Sequence, residues 1–318
     1  MVALSIVIPS LGREMALLNT LVDLVAQDFG DWECLVVLQG HVRRQLQDAV
    51  VQILGRRGRV FEQSEPNANR ARNRGLLEAR ASVVLFLDDD VRLPNLRFLR
   101  SHYEPYTNIR RSGVYGQVRG SDGRVRSHRH PWSRNERYGW LYFPPNFDQP
   151  VEVRTGGSGN LSVRRDWALA VGGFDERFEK GAHREETDFC LRLTDRYGPF
   201  LFSPEAWLIH LGEPAGGCRS WGTTEGVVPM HHAFGEWYFI FKRRKAPGTT
   251  GAELFHYTAA AVRRQLLNKG LRRRPWLLPS AFARMLSAQA QAARAVRSGP
   301  RELTWRASSP EAAPLSPG

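Results

Sequence analysis

The stretch SVVLFLDDD, residues 82–90, places a run of Val, Leu and Phe directly before three aspartates. Apolar runs without polar alternation are typical of strands that are buried on both faces of a sheet. Ligands of open α/β sheets bind outside the carboxyl ends of the strands. The stretch therefore predicts a central strand whose carboxyl end carries Asp88, Asp89 and Asp90 to a binding site.

Two other runs have the same character, LSIVIPS at 4–10 and ECLVVLQ at 33–39. Segments with apolar residues at helical spacing lie between the three runs. The first segment contains Leu17, Leu18, Leu21, Leu24 and Val25, and the second contains Ala71, Leu76, Leu77 and Ala79. This alternation predicts a Rossmann-like, doubly wound α/β sheet.

The second half of the chain has a weaker pattern. We expect loops and short strands over 119–155, then a strand interrupted by glycines in VEVRTGGSGNLSVRR. Helices are predicted at about 166–171 and in EETDFCLRLTDRYG, followed by a strand at 206–210. From about 234 the chain is predicted to be helical and basic, with a disordered tail in SSPEAAPLSPG.

The charge of the chain is concentrated near its end. The 318 residues carry a net charge of +13, and 15 Lys/Arg but only three acidic residues lie between Lys242 and Gly318. A basic extension on a balanced front part suggests docking to an anionic surface, whereas a nucleic-acid binder would usually be basic throughout.

Location is predicted from three features. No stretch reaches the roughly 18 apolar residues that span a bilayer, and MVALSIVIPS lacks the basic start of a signal peptide. Cys34, Cys190 and Cys218 lie far apart without CxxC spacing. We therefore expect a cytoplasmic protein with reduced cysteines and neither disulfides nor a thiolate zinc site.

Asp88 and Asp90 leave the strand end on the same side, because they are two residues apart. Carboxylate oxygens suit Mg²⁺ or Mn²⁺, which in turn bridge phosphate oxygens. A solvated acidic turn is the alternative, but the position after a buried strand favours a metal site.

Two other groups have both a structural and a chemical interpretation. The acidic residues of Glu185-Glu186-Thr187-Asp188 can stabilise a helix start, and the same field favours an ionised general base. His210 at the end of AWLIH is either structural or a ligand, and the Gly-rich loop after it is typical of loops that cover substrates.

The glycines at 156–159 and 172–173 match neither GxGxxG nor a P-loop. They either allow a ligand to approach the backbone closely or form tight turns.

Several of these segments occur in a diagnostic order. They are SIVIPSLGRE, NANRARNRGLLEARASVVLFLDDD, GSGNLSVRR, GGFDERF and EETDFCLRL. Together they resemble the inverting family-two glycosyltransferases of the GT-A fold, over about Ser5 to His210. The resemblance implies a mixed GT-A type sheet, to which the basic helical C-terminal extension is added.

The resemblance also implies roles for individual residues. Donor-binding roles fall on Pro9, Ser10, Gln39, Arg72, Asp88 and Asp89. Asp88, Asp90 and His210 would hold Mn²⁺ or Mg²⁺, and Glu186 stands where the family usually has its catalytic Asp. Gln39 lies near the family's base-reading Asp, and its amide can still pair with a pyrimidine edge.

The implied function is a metal-dependent transfer of a sugar from a nucleotide-diphosphate donor to a hydroxyl of a glycan or lipid-linked acceptor. Residues 1–118 would bind the donor and 119–233 the acceptor within one domain, while 234–318 would form the extension. The alternatives are a non-catalytic sugar-nucleotide binder, a nucleotidyltransferase and a basic nucleic-acid-binding protein. The last lacks any recognised motif.

Membrane contact is a separate hypothesis. GEWYFIFKRRK at 235–245 and the face of Phe255, Ala259, Val262 and Leu266 resemble an interfacial helix, and RRRPWLL at 272–278 repeats the pattern. Packing of these apolar faces on the rest of the enzyme is the alternative. The aromatics Trp132, Tyr138, Trp140, Tyr142 and Phe143 are either a stacking surface for acceptor sugars or core residues.

Overall fold

The computed structural model describes residues 2–107, 111–126, 145–181, 183–217, 220 and 226–304. The strands in this part of the chain are β1 Leu4–Ser10, β2 Trp32–Gln39, β3 Gly58–Gln63, β4 Val83–Leu87, β5 Val91–Arg92, β6 Gly113–Arg119, β7 Val151–Val153, β8 Asn160–Arg164 and β9 Phe200–His210. The helices are α1 Glu14–Val25, α2 Arg44–Leu54, α3 Ala68–Glu78, α4 Phe98–Tyr103, α5 Arg165–Ala170, α6 Glu185–Tyr197, α7 Met230–Arg243, α8 Gly251–Leu266, α9 Lys269–Arg273 and α10 Leu278–Arg297.

All of these strands belong to one mixed sheet with the order β3-β2-β1-β4-β8-β6-β9-β5, and β7 also pairs with β9. The first four strands in this order are parallel, whereas β8 runs antiparallel to both β4 and β6. The parallel half brings the carboxyl ends of β1, β2 and β4 to the same edge. The predicted α/β class with a mixed GT-A type sheet is confirmed.

Both faces of the sheet are covered, which explains the unbroken apolar runs. Along β4, Val83, Leu85 and Leu87 pack into one core and Val84 and Phe86 into another. Successive side chains of a strand point to opposite faces, so each core receives alternate residues. The strand must therefore be apolar throughout.

Most of the predicted elements are confirmed, but α2, β3, β5, α4 and β6 were not predicted. The sequence of β3, GRVFEQ, is mixed in polarity because this strand lies at the end of the sheet and is largely only half-buried. An edge strand lacks the continuous apolar run that identifies a central one. The aromatics at 132–143, Cys218 and the tail 308–318 lie outside the described residues.

The C-terminal helices pack against the rest of the chain. Helices α7, α8 and α10 share a third apolar core with Phe178 and with Leu191 of α6. The hypothesis that the aromatics of GEWYFIFKRRK face a membrane is wrong. Trp237, Tyr238 and Phe239 are buried in this core, because the helices pack on one another through these side chains.

The face predicted from Phe255 to Leu266 is also divided. Phe255 and Ala259 are exposed, whereas Val262 and Leu266 pack against the third core. Among the helices that the structure describes, none combines the length and the apolar run needed to cross a bilayer.

Lys242 lies inside a cluster of three carboxylates. Its Nζ is 2.7 Å from Asp175, 3.0 Å from Asp188 and 2.9 Å from Glu302. Burial by itself would raise the pKa of Asp175, but the Lys242 ammonium outweighs it and the pKa is lowered. This lysine cluster joins α7 to α6 and to the end of the described chain.

The glycines at 172–173 form a tight turn. Both have positive φ, 84° and 61°, and a Cβ on Gly173 would lie 2.5 Å from Asn73 Oδ1. The segment around Leu303 pairs with this turn, because Leu303 N donates to Gly172 O at 2.7 Å.

Of the cysteines, Cys34 and Cys190 are buried and free, and burial raises the pKa of both thiols.

Candidate active site

A cleft of about 240 Å³ opens at the carboxyl ends of β1, β2 and β4. Six of the predicted residues line it, namely Pro9, Gln39, Arg72, Asp88, Asp89 and His210. Ser10 and Asp90 are buried beside the lining residues, and Glu186 lies on α6. Arg13 and Lys180 also line the cleft, although the sequence did not single them out.

Asp88, Asp90 and His210 come together as predicted from the strand ends. One ligand atom from each lies within 4.8 Å of the other two. His210 Nε2 is 3.8 Å from Asp88 Oδ2 and 3.4 Å from Asp90 Oδ1. His210 reaches this position because β9 pairs with β5, which follows the aspartates directly.

This set of residues fits a divalent cation. Two carboxylates and an imidazole are ligands that Mn²⁺ accepts. Asp90 is fully buried, and its Oδ1 accepts no hydrogen bond of good geometry although Arg13 Nη1 lies 3.1 Å away. An unsatisfied buried carboxylate oxygen is costly, and a bound cation would remove that cost.

Asp89 is held by the first-strand loop. Its Oδ2 accepts a hydrogen bond from Ser10 Oγ at 2.6 Å and its Oδ1 accepts one from Arg13 Nη1 at 3.1 Å. Burial raises the pKa of Asp89 to about 6, against the opposing effects of Ser10 and Arg13. Ser10 thus supports Asp89 and is absent from the cleft lining.

Asp88 is the least enclosed of the three aspartates. Its removal from bulk water raises its pKa, while the Arg72 guanidinium and His210 oppose the increase. Arg72 is almost fully buried, and its Nη1 donates to Asn69 Oδ1 at 3.3 Å. Its guanidinium lies 5.4 Å from the ring centre of Phe174. Arg72 is therefore fixed by its neighbours, with its charge close to Asp88.

Gln39 has one side of its amide already occupied. Its Oε1 accepts a hydrogen bond from the backbone N–H of Asn67 at 2.8 Å and another from Gln63 Nε2 at 3.3 Å. A backbone N–H can only donate, so the oxygen must face Asn67. The NH₂ group is left for a ligand in the cleft.

Glu186 is oriented by Ser158. Its Oε1 accepts hydrogen bonds from Ser158 N at 2.8 Å and Ser158 Oγ at 2.6 Å. Its Oε2 accepts none from the described residues. Burial and the neighbouring Glu186 charge raise the pKa of Glu185 to about 8. The two adjacent glutamates are therefore not equivalent.

The glycine segment before β8 connects Glu186 to the aspartates. Ser158 binds Glu186, and the next residue, Gly159, faces Asp88 so closely that a Cβ would lie 2.2 Å from Asp88 Oδ2. Asp88 N also donates to Gly159 O at 3.2 Å. The sequence predicted either a ligand close to this backbone or a tight turn, and at Gly159 the group that comes close is the side chain of Asp88.

The third acidic residue of α6 points elsewhere. Asp188 Oδ2 accepts from Arg192 Nε and from Lys242 Nζ, both at 3.0 Å. The start of α6 is fixed from the other side by Arg184, which has a positive φ of 78°. Its Nε donates to Glu236 Oε2 of α7 at 3.1 Å, and both side chains are 1% exposed.

Sequence reasoning missed Arg13, Ser158 and Lys180. Arg13 follows the first strand in SLGRE, and the loop after β9 approaches it, with Arg13 Nε donating to Ala215 O at 3.0 Å. Ser158 lies within the glycine segment, where the sequence pattern concerns only the backbone. Position after a strand end could have identified Arg13, but no sequence signal identifies the other two.

Comparison with known proteins gives a consistent picture. The sequence profile described as Glycosyl transferase family 2 matches residues 5–171, just over half of the chain. None of the curated proteins matches the sequence.

The fold is similar to many solved structures, and two of them illustrate the likeness. The structure of S. aureus TarS 1–349 in complex with UDP-GlcNAc has a TM-score of 0.61 at 16% identity, covering 96% of this chain and 93% of that chain. Mannosyltransferase PcManGT from Pyrobaculum calidifontis, in complex with GDP-Man and Mn²⁺, has a TM-score of 0.56 at 15% identity, covering 93% of this chain and 79% of that chain. At these identities the likeness concerns the fold.

Proposed function

The chain belongs to glycosyl transferase family 2, and from this premise we propose that it moves a sugar from a nucleotide-diphosphate donor to a hydroxyl acceptor with inversion. The observation that carries the proposal is the convergence of two groups at one sheet edge. Asp88, Asp90 and His210 form a cation-binding set, and the 157–159 turn lies between Asp88 and Glu186.

Asp88, Asp90 and His210 would hold Mn²⁺ or Mg²⁺, as their donor atoms and the unsatisfied Asp90 Oδ1 suggest. A divalent cation bound there supplies positive charge that stabilises the departing diphosphate. The Mn²⁺ in the structure of PcManGT supports this assignment.

The donor would occupy the cleft lined by Pro9, Gln39, Arg72, Asp88 and Asp89. Asp89 supports the cleft wall together with Ser10, and Arg72 contributes a fixed positive charge. The free NH₂ of Gln39 can donate to a carbonyl oxygen of the base. The nucleotide-sugar complexes of the two similar structures support a donor of this class.

Glu186 would act as the general base. Its Oε2 takes the proton of the acceptor hydroxyl while the hydroxyl oxygen forms a bond to the anomeric carbon of the donor sugar. The bond from this carbon to the diphosphate oxygen breaks, and its electron pair remains on the diphosphate. Two hydrogen bonds from Ser158 to Oε1 fix the orientation of the carboxylate and leave Oε2 for the proton.

The acceptor would be a growing surface polysaccharide or a lipid-linked glycan, handled at the cytoplasmic membrane face. We assign membrane contact to residues 267–282, which include the predicted RRRPWLL segment. Leu267, Trp276 and Phe282 are 55%, 71% and 50% exposed, beside the exposed Arg272–Arg274. Exposed apolar side chains next to arginines suit an anionic lipid surface.

Donor binding is testable by thermal shift with UDP- and GDP-sugars, with and without Mn²⁺. We expect one donor to raise the melting temperature in a Mn²⁺-dependent way, since a ligand at about 100 times its Kd stabilises by about 2.7 kcal/mol. NMR of the glycoside product reports inversion. A retained anomeric configuration, or full activity in excess EDTA, would overturn the proposal.

Membrane contact is testable by co-sedimentation with anionic and neutral vesicles. The variant Trp276→Ser/Phe282→Ser should lose binding to anionic vesicles, whereas Val22→Ser, an exposed apolar residue of α1, should not. Equal recovery of the wild type on both kinds of vesicle would remove the membrane hypothesis without affecting the catalytic one.

A further inference from the structure

A second cavity, of about 500 Å³, lies between the start of α7, the end of α10 and the segment 177–180. We call it the basic pocket. Four of the residues that line it carry permanent positive charge, namely Arg177, Lys180, Arg294 and Arg301. Glu179 is the one acidic residue among the described lining residues. A cavity with such an excess of one charge attracts ligands of the opposite charge.

Three of these cations, Arg177, Arg294 and Arg301, are only weakly neutralised by the described residues. Glu179 lies 3.7 Å from Arg301, and both side chains are more than half exposed, so this pair contributes little. Arg177 Nε donates to the carbonyl oxygen of Gly299, which carries no full charge. Arg294 has no ion-pair partner among the described residues. Two guanidinium groups therefore face the pocket without a carboxylate.

The pocket also has an apolar side. Phe234 and Met230 of α7 line it, and the Phe234 ring is stacked on Tyr238 at 5.3 Å between centroids. A fixed aromatic ring can pack against the apolar face of a sugar, while arginines pair with phosphate or carboxylate oxygens. The lining thus combines an aromatic ring for the sugar with positive charges for its anionic groups.

The basic pocket adjoins the donor cleft. Lys180 lines both cavities, and its neighbour Gly181 lines the cleft. Lys180 has a positive φ of 56°, which is uncommon for a residue with a side chain and concentrates at functional sites. The same segment leads directly into α6, which begins at Glu185.

We propose that the basic pocket is the acceptor subsite and that it takes an anionic glycan, whose phosphate or carboxylate groups pair with Arg177 and Arg294. The inference rests on the proposed glycosyl transfer, because it assigns a substrate class to the same enzyme. A ligand in the pocket would be next to the donor at Lys180, with the acceptor hydroxyl on the side of α6.

Arginines near a helix end also have a structural explanation. The C-terminus of a helix favours positive charge, and Arg294 lies in the last turn of α10. Arg297 lies in the same turn but does not line the pocket. Arg297→Gln is therefore a matched control for the loss of charge at this helix end.

The test is saturation-transfer NMR with mannose 6-phosphate, glucuronate and neutral mannose at millimolar concentration. The wild type should bind the two anions and bind mannose more weakly. Arg177→Gln/Arg294→Gln should weaken anion binding about tenfold, the scale expected for lost charge-assisted hydrogen bonds. Arg297→Gln should bind as the wild type does. Mn²⁺ relaxation measurements on all three proteins should be equal, which establishes that the variants are folded.

Three results would overturn the inference. The anions bind no better than mannose, the double variant loses nothing, or an oligothymidylate binds more tightly than the sugars and depends on the same arginines. Thermal shifts with nucleotide sugars on the same proteins separate this inference from the proposed function. Donor binding without anion binding refutes the subsite alone, whereas anion binding without any donor response refutes the glycosyl transfer.

Discussion

The sheet edge and the C-terminal helices both hold charged groups in places with little water, but they satisfy these groups differently. At the sheet edge, Asp90 Oδ1 and Glu186 Oε2 have no hydrogen-bond partner among the described residues. In the helical region, Lys242 is surrounded by three carboxylates, and Glu236 contacts both Arg184 and Arg264. In the second arrangement lysine and arginine side chains supply the positive charge, whereas in the first Asp88, Asp90 and His210 form a set that fits a divalent cation.

This difference separates the proposed base from a structural carboxylate within a single helix. Glu186 and Asp188 are two residues apart in α6, yet Glu186 is held by the uncharged Ser158, whereas Asp188 is paired with Arg192 and Lys242. The three carboxylates around Lys242 also have the spacing of a metal site, but the ammonium already fills it. Spacing alone would assign both groups the same chemistry.

The largest effect is expected at Asp90. Asp90→Asn keeps the size of the side chain but removes a charged ligand oxygen. We expect turnover to fall by about a thousandfold or more, since a metal contributes several kcal/mol to stabilising the leaving group. Titration of Mn²⁺ by electron paramagnetic resonance should show a matching loss of affinity. Wild-type Mn²⁺ affinity in this variant would contradict the assignment, and Asp122→Asn at an exposed position serves as the control.

A stability effect is expected in the helical region. Lys242→Met leaves three clustered carboxylates without their ammonium, and we expect the free energy of unfolding to fall by about 3 kcal/mol or more. Mn²⁺ binding at 10 °C should remain normal. Urea unfolding measures the loss, and Lys245→Met, whose side chain is outside the cluster, is the comparison. If Lys242→Met is as stable as the wild type, the lysine cluster does not contribute to joining α7 to α6.

The effect at Glu186 is expected to be on catalysis and not on stability. Glu186→Gln can accept the Ser158 hydrogen bonds but cannot take a proton near pH 7. Turnover should fall by roughly a hundredfold or more, the usual scale for the loss of a general base. Donor binding should persist. Normal turnover in Glu186→Gln together with an inactive Glu185→Gln would mean that the neighbouring glutamate is the base.

The smallest effect concerns acid sensitivity and is absent near neutral pH. Burial lowers the pKa of His102 from 6.5 to about 4, so its contribution to stability is lost as the pH falls below 6.5. Burial opposes the shift, but the Arg184 charge lowers the pKa of Glu236 from 4.5 to about 2. The contribution of Glu236 to stability is therefore lost as the pH falls between those two values. His102→Gln should flatten the curve of stability against pH between 6.5 and about 4, and Glu236→Gln should flatten it between 4.5 and about 2. Chemical unfolding at several pH values measures both effects. Identical curves for the two variants would contradict the assignment of the two pH ranges to different residues.

The sheet and its aspartates could be predicted because each follows from a local pattern. The run VVLFL is apolar on both faces, and its end must carry Asp88 to the sheet edge. His210 was identified in the same way, at the end of AWLIH. Ser158 and Lys180 lie in loops that meet the cleft only in the folded chain, so their positions have no local signal, whereas Arg13 could have been identified from its position after a strand end.

The helix at 230–243 shows where composition is insufficient. Aromatic residues followed by Lys and Arg are typical of an interfacial helix and equally of a buried helix with ion pairs. In the fold, Trp237, Tyr238 and Phe239 pack into the third core, and Lys242 is surrounded by Asp175, Asp188 and Glu302, which lie far away in sequence. Leu267, Trp276 and Phe282, in a segment of similar composition, remain exposed.

The turn at 157–159 has a consequence for engineering and for evolution. Asp88 and Glu186 are almost one hundred positions apart in the sequence, but Gly159 and Ser158 are adjacent. A substitution in this turn is inherited as one event and alters the surroundings of both Asp88 and Glu186. For the proposed reaction, laboratory selection for a new donor would therefore change acceptor use whenever it substitutes these residues, whereas changes at Gln39 would leave the surroundings of Glu186 as they are.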